Sequence, residues 1–320
     1  SLFNGQDSQT GFIPNMNYLT GHNWRDVEAL TFKRPDIGSS YIQPPVIAWG
    51  AWEISEAYEK QGKPSEAKRF LAETHDKLSS FYGYFEKYRE NGNGSKLVGN
   101  IHPHETGRDS DPSLRPDLPL IPGKGRLAGL ANGILDYGTI LKLNTQLYMH
   151  DQYPEKGRPT VRDIVSFKKR KERKEQRKDA RYDWDPEKVK DVYWVNDVMF
   201  NVLYANNLQY MEKIGQELGK EKGKYESKAQ KVEQEILTKM WNEEDGIFYN
   251  LDQNGKQIKV ASVASLFPLM LDGISEHQAT KLVEKMEDPE WFGTPFPIPS
   301  VPANSRHYHP HYTEPRLWKR

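Results

Sequence analysis

Residues 46–90 read VIAWGAWEISEAYEKQGKPSEAKRFLAETHDKLSSFYGYFEKYRE, and their spacing sets the fold class. Pro44-Pro45 can open a helix, and the apolar residues that follow keep helical spacing until Gly62 stops it. Pro64 opens a second helix, in which Ala67, Phe70, Leu71, Leu78, Phe81 and Phe85 recur at threes and fours. NGNGS at 91–95 closes the pair. Two helices with a short connection are the unit from which the rest of the chain is built.

Outward from that unit the same pattern returns. GRLAGLANGILDYGTILKLNTQLYMH (125–150) reads as a helix, a long helix is expected from Pro186 to Leu218, and a partner over 222–241. Residues 245–256 alternate Ile247, Tyr249 and Leu251 before Asn254-Gly255, which predicts a short hairpin turning at Asn-Gly. Two shorter helices are expected at 260–272 and 275–287. The opening 1–45 and the tail from Trp291 read as loop. The expectation is an all-α fold of paired helices, arranged as a ring with long loops gathered over one end. No repeat is visible, which argues against a helical solenoid. The whole chain, 1–320, is taken as one domain, with 151–185 a charged insertion.

Composition narrows the function. The 45 basic and 45 acidic residues cancel, so no global field recruits nucleic acid or an anionic membrane. No apolar run approaches the length of a membrane span. Aromatic residues make up 12% of the chain, with 8 Trp and 17 Tyr, which suits sugar rings as well as core packing. With no cysteine, disulfides, a thiol nucleophile and thiolate metal sites are all excluded. Zero cysteine fits either redox compartment, and a cytoplasmic setting is favoured. The basic run KKRKERKEQRK (168–178) has no interleaved aromatic residue and reads as a solvated face or insertion. His307, His309 and His311 alternate in the tail and read as loop histidines, so no metal and no organic cofactor is expected.

HPHETGRDSDPS (102–113) carries the chemistry. It sets Glu105 and Asp109 four apart across a Gly107 turn, between Pro103 and Pro112, so that both carboxyls can face one cavity. Closely placed carboxyls are what glycosidic cleavage requires, because one must protonate the leaving oxygen. The bland alternative is a polar loop with helix-capping acids.

Four segments in order are similar to the (α/α)6-barrel glycosidases of glycoside hydrolase family 63, and look most like the branch that hydrolyses mannosylglycerate and glucosylglycerate. They are GFIPNMNY (11–18), YIQPPVIAWGAW (41–52), HPHETGRDSDPS (102–113), and VYWVNDVMFNVLYANNLQYM (192–211) with DGIFYNLD and SLFPLML after it. The resemblance covers nearly the whole chain. It implies that Asp109 is the general acid. It implies that Tyr18, Gln43, Gly107 and Arg181 line the sugar and aglycone subsites, and that Glu105 holds the loop and touches the sugar. His104, where the family has Trp, Arg108 and the late Trp318 complete the substrate-binding candidates. Asp111 stands where the family's Asn-Ser-Pro has Ser.

The resemblance also implies a barrel that begins with a Trp-Asp helix upstream of Ser1. Its general base is a Glu downstream of a Tyr-Trp-Arg-Gly-Pro stretch, of which EPRLWKR (314–320) looks like the start. The chain thus reads as a fragment whose base lies outside it, Glu314 being the one late glutamate that could stand in. The expected reaction is inverting hydrolysis of a small α-glucoside or α-mannoside, glycerate conjugates and oligosaccharide ends included. Arg108 or Arg181 would then meet a charged aglycone. Two other readings stay open: another α/α-barrel carbohydrate enzyme, a lyase or epimerase using the Tyr/His-rich tail, and a non-catalytic scaffold that binds a sugar or a protein. Oligomeric state is not legible.

Overall fold

The computed structural model of the chain describes residues 2–15, 42–92, 94–101, 103–108, 111–114, 194–220, 223–305 and 308. The helix read over 125–150 and the insertion 151–185 lie outside them. Among the described residues the architecture is helical. Helix α1 is Ile47–Lys60 and α2 is Pro64–Tyr88. Helix α3 is Val198–Glu217, α4 is Lys224–Glu235 and α5 is Glu276–Glu287. No described helix is long and apolar enough to cross a membrane.

The first pair forms as the spacing requires. Gly62, at φ 72°, ends α1. Pro64 starts α2 at a position whose N–H has no helical partner. The buried face of α2 runs through Leu71, Leu78, Phe81, Tyr82, Tyr84 and Phe85. Its aromatic end packs on α3: Phe85 lies 5.9 Å from Phe200 and 5.2 Å from Tyr204, centroid to centroid. Burying each such ring is favourable by roughly 1.5–3 kcal/mol. Helix α1 packs against α2, α3 against α4, and both members of the first pair lean on α3. The start of α1 is tied to α3 by Asn207, whose Oδ1 accepts from Trp49 N at 2.9 Å and Tyr82 Oη at 3.1 Å.

Three expectations need correction. The long helix over 186–218 starts later: residues 186–193 lie outside the description, and 194–196 precede the helix as extended chain. Val195 exchanges backbone hydrogen bonds with Asn100 at 2.8 and 3.1 Å, and Asn196 exchanges them with Leu251 at 2.9 and 3.0 Å. Asp197 caps the helix instead, its carboxylate accepting from Phe200 N at 2.9 Å. The hairpin also begins earlier. Strand β1 (Trp241–Asn242) pairs antiparallel with β2 (Ile247–Phe248), while Asn254-Gly255 turns a second, looser bridge between Leu251 and Gln257. Finally, Val263–Met270 is a 3-10 helix with Pro268 inside it, opened by a capping box between Ser262 and Ser265.

Candidate active site

The loop singled out in the sequence is held by side chains that imitate a strand. Asn201, one turn into α3, accepts from Val98 N at 2.8 Å and donates to Val98 O at 3.0 Å. Gly99 follows because nothing larger fits: a Cβ there would lie 1.9 Å from Trp194 Cε2. After the Asn100–Val195 bridge the chain turns through Pro103–Thr106 as one 3-10 turn. Gly107, at φ 70°, then reverses it in the left-handed region that suits glycine.

Glu105 anchors this turn. Its side chain is 0% exposed, as is that of Arg89 at the end of α2, and the two meet in parallel hydrogen bonds of 2.9 Å each. The carboxylate also accepts from Ile101 N at 2.9 Å and Ile42 N at 3.4 Å. Arg89 donates further to Tyr84 Oη at 3.0 Å and Gly99 O at 3.3 Å. Burial works against the Arg89 charge, but the Glu105 carboxylate outweighs it and holds the guanidinium protonated beyond its usual range. Burial pushes the Tyr84 phenol up to about 12 despite the nearby arginine. The expectation of two carboxyls facing one cavity is therefore not met at Glu105. Both its oxygens are turned into a closed network, because a buried carboxylate needs every lone pair matched. It holds the loop, with both carboxylate oxygens engaged by Arg89 and by backbone N–H groups.

Arg108 differs equally from its expected role as a free cation. Its guanidinium pairs with Asp111 and with Asp197, and also donates to Ser262 Oγ at 3.2 Å. Burial disfavours its charge, and the two carboxylates more than restore it. One cation between two anions leaves a net negative charge, so this group does not offer an anionic aglycone an unmatched partner. Asp111 organises the descending limb of the loop. Its N–H donates to Arg108 O at 2.9 Å, and its Oδ1 accepts from Ser113 N at 2.8 Å and Ser113 Oγ at 2.6 Å.

Beside this loop lies a cavity of about 730 Å³. Its polar wall comprises Asn15, Gln43, Arg108, Asp111 and Ser300, with Gly107 at the turn. Its apolar wall is made of side chains such as Ile13, Val46, Met199, Leu203 and Phe267. Gln43 donates to Asn15 Oδ1, which joins the Gln-Pro-Pro helix start to the Ile-Pro-Asn stretch. The size suits a small ligand, and a wall that is mostly apolar with a few fixed polar groups suits one with a ring face and hydroxyls.

Of the candidate residues, the structure brings Gln43, Gly107 and Arg108 to one cavity and turns Glu105 away from it. Tyr18, Asp109, Arg181, Glu314, Trp318 and the side chain of His104 lie outside the described residues, as do His307, His309 and His311. Among the described residues no cluster of three or more metal-ligating groups occurs. Sequence reasoning missed Arg89, Asp197 and Asn201. Asp197 had a readable signal, an acid directly before the apolar run of α3. Arg89 had none, since its partner is 16 residues away across a loop.

Residues 1–319 match the model of the mannosylglycerate hydrolase MGH1-like glycoside hydrolase domain. A mannosylglycerate hydrolase of Rubrobacter radiotolerans is 23% identical over 272 residues, covering 82% of this chain and 55% of that protein. An uncharacterized protein of Borreliella burgdorferi is 26% identical over 113 residues, 35% of this chain and 23% of that one. The chain thus spans about half the length of the first relative and about a quarter of the second. The crystal structure of a family 63 mannosylglycerate hydrolase from Thermus thermophilus, in complex with Tris and D-glycerate, superposes with a TM-score of 0.73. Its sequence identity is 22%, over 97% of this chain and 69% of that one. That likeness shows the fold, the (α/α)6 arrangement of paired helices.

Proposed function

The chain belongs to the mannosylglycerate hydrolase MGH1-like glycoside hydrolase family, and from that membership we propose that it hydrolyses a small α-glycoside with inversion. The observation that carries the reading is the family match over residues 1–319 together with a signature loop that walls a cavity of about 730 Å³. In this reading Asp109, between Arg108 and Asp111, is the general acid that protonates the glycosidic oxygen. An acid must stay protonated until it acts.

A second carboxylate activates water from the opposite face of the ring, with about 6.5–9.5 Å between the two groups. By the family resemblance that carboxylate lies downstream of the Tyr-Trp-Arg-Gly-Pro stretch begun at 314–320, and within these residues Glu314 is only a stand-in for it. Gln43 and Asn15 offer amide groups to sugar hydroxyls. The sugar is glucose or mannose in α linkage, and a glycerate conjugate is the first substrate to try, because the Rubrobacter relative that matches over 82% of this chain is a mannosylglycerate hydrolase.

Proton NMR of the protein mixed with α-glucosides and α-mannosides, glucosylglycerate and mannosylglycerate included, tests the proposal. Early appearance of the β-anomer of the released sugar is the expected result. Release of the α-anomer would exclude inversion, and no turnover on any member would exclude hydrolysis by this chain alone.

A further inference from the structure

We propose that Arg108 is a positioning residue, a clamp that closes the loop around position 109 through Asp111 and fastens it to the first turn of α3 through Asp197. This deepens the hydrolase reading and rests on it for its kinetic consequence only.

The geometry carries it in three steps. Asp111 N donates to Arg108 O at 2.9 Å, so the backbone is closed across two residues, and the Arg108–Asp111 ion pair closes the same ring a second time through side chains. The other end of the guanidinium holds Asp197 Oδ2, while Asp197 Oδ1 accepts from Phe200 N at 2.9 Å as the cap of α3. A third contact, to Ser262 Oγ at 3.2 Å, reaches the cap of the Val263–Met270 turn. One planar cation thus joins three segments far apart in sequence, with only 6% of the residue exposed.

A planar guanidinium spreads its N–H groups over separate nitrogens and so spans acceptors on three segments, whereas a lysine's three N–H groups radiate from one point on a flexible stem. A guanidinium already paired with two carboxylates and a hydroxyl is suited to fixing its neighbours. Holding the acid within a fraction of an ångström is worth on the order of a hundredfold in rate.

The test compares the unmodified chain with Arg108→Lys and Asp197→Asn, the latter keeping the capping oxygen while removing the charge. Amide hydrogen exchange reads the clamp directly. The Asp111 and Leu114 amides should exchange about tenfold faster or more in both variants, with the α2 amides unchanged. In turnover, kcat should fall about 10–100-fold while KM stays within about twofold.

Unaltered exchange of 111–114 in both variants overturns the clamp whatever the activity. A raised KM at constant kcat, with loss of inhibition by added D-glycerate, overturns it too and makes Arg108 a ligand contact. An unmodified chain without turnover, showing accelerated exchange in the variants, sinks the hydrolase reading and leaves the clamp standing.

Discussion

Arg89 and Glu105 face each other through two hydrogen bonds of 2.9 Å, with neither side chain exposed. The pair sits beneath the loop that walls the cavity, and joins the end of α2 to the turn that presents Gly107 and Arg108. Taking two charges out of water is costly, and the pair persists because its oxygens and nitrogens are matched by Tyr84, Gly99, Ile101 and Ile42 as well as by each other.

Removing one partner should therefore cost more than removing both. Arg89→Met or Glu105→Leu leaves an uncompensated buried charge, and each should lower stability by about 3–5 kcal/mol. The double variant Arg89→Met/Glu105→Leu should lose less than the sum. Urea unfolding of the four proteins checks this, and strict additivity would show that the pair does not act as one unit.

The carboxylate of Glu212 gives a pH dependence. Burial pushes its pKa up, but N–H groups of Gly223, Glu226 and Tyr225 at the start of α4 outweigh that, and the net direction is down. A folded value below the unfolded one, about 4.3, means a stabilisation fully present above that pH. It is lost as pH falls through the folded value. Glu212→Gln should flatten the acid limb of the stability curve below about pH 4.3, measured by denaturation at stepped pH. An unchanged limb would assign the acid sensitivity elsewhere.

Two glycines of the loop should fail in different ways. Gly107 has open space where a Cβ would sit but a φ of 70°, so Gly107→Ala costs only backbone strain of about 1–2 kcal/mol. At Gly99 a Cβ would run into the Trp194 indole. Gly99→Ala should move that ring and change tryptophan fluorescence, whereas Gly107→Ala should leave the spectrum alone. Identical spectra for both would contradict the packing at Trp194.

Asp109→Asn should abolish most hydrolysis, by a factor of about 100 or more for loss of general-acid help, while leaving the thermal transition in place. Activity retained in full would remove Asp109 from the acid role, with single-turnover rates on an α-glycoside as the measurement.

Much of this fold is legible because helices are written locally. The spacing of Ala67, Leu71, Leu78 and Phe85 and the punctuation by Gly62 and Pro64 set α1 and α2 almost to the residue. The start of α3 escapes such reading because residues 194–196 pair with Asn100 and Leu251, partners about 95 and 55 positions away, and such pairing leaves no periodicity. Asp197 is in view as an acid before an apolar run, yet its second role, holding Arg108, depends on an approach between segments 89 positions apart.

Residues within a few positions of one another are enough to specify the helix pairs, the glycine turn at 107 and a loop rich in carboxyls and flanked by prolines. Which charged groups are left free is settled by the packing instead. Glu105 looks in sequence like a carboxyl able to act but is paired with Arg89, and Arg108, which looks like a spare cation, is paired with Asp111 and Asp197. Whether a charged group serves a ligand or the fold is set by what lies within hydrogen-bonding reach once solvent is excluded, and that is a property of the packed chain.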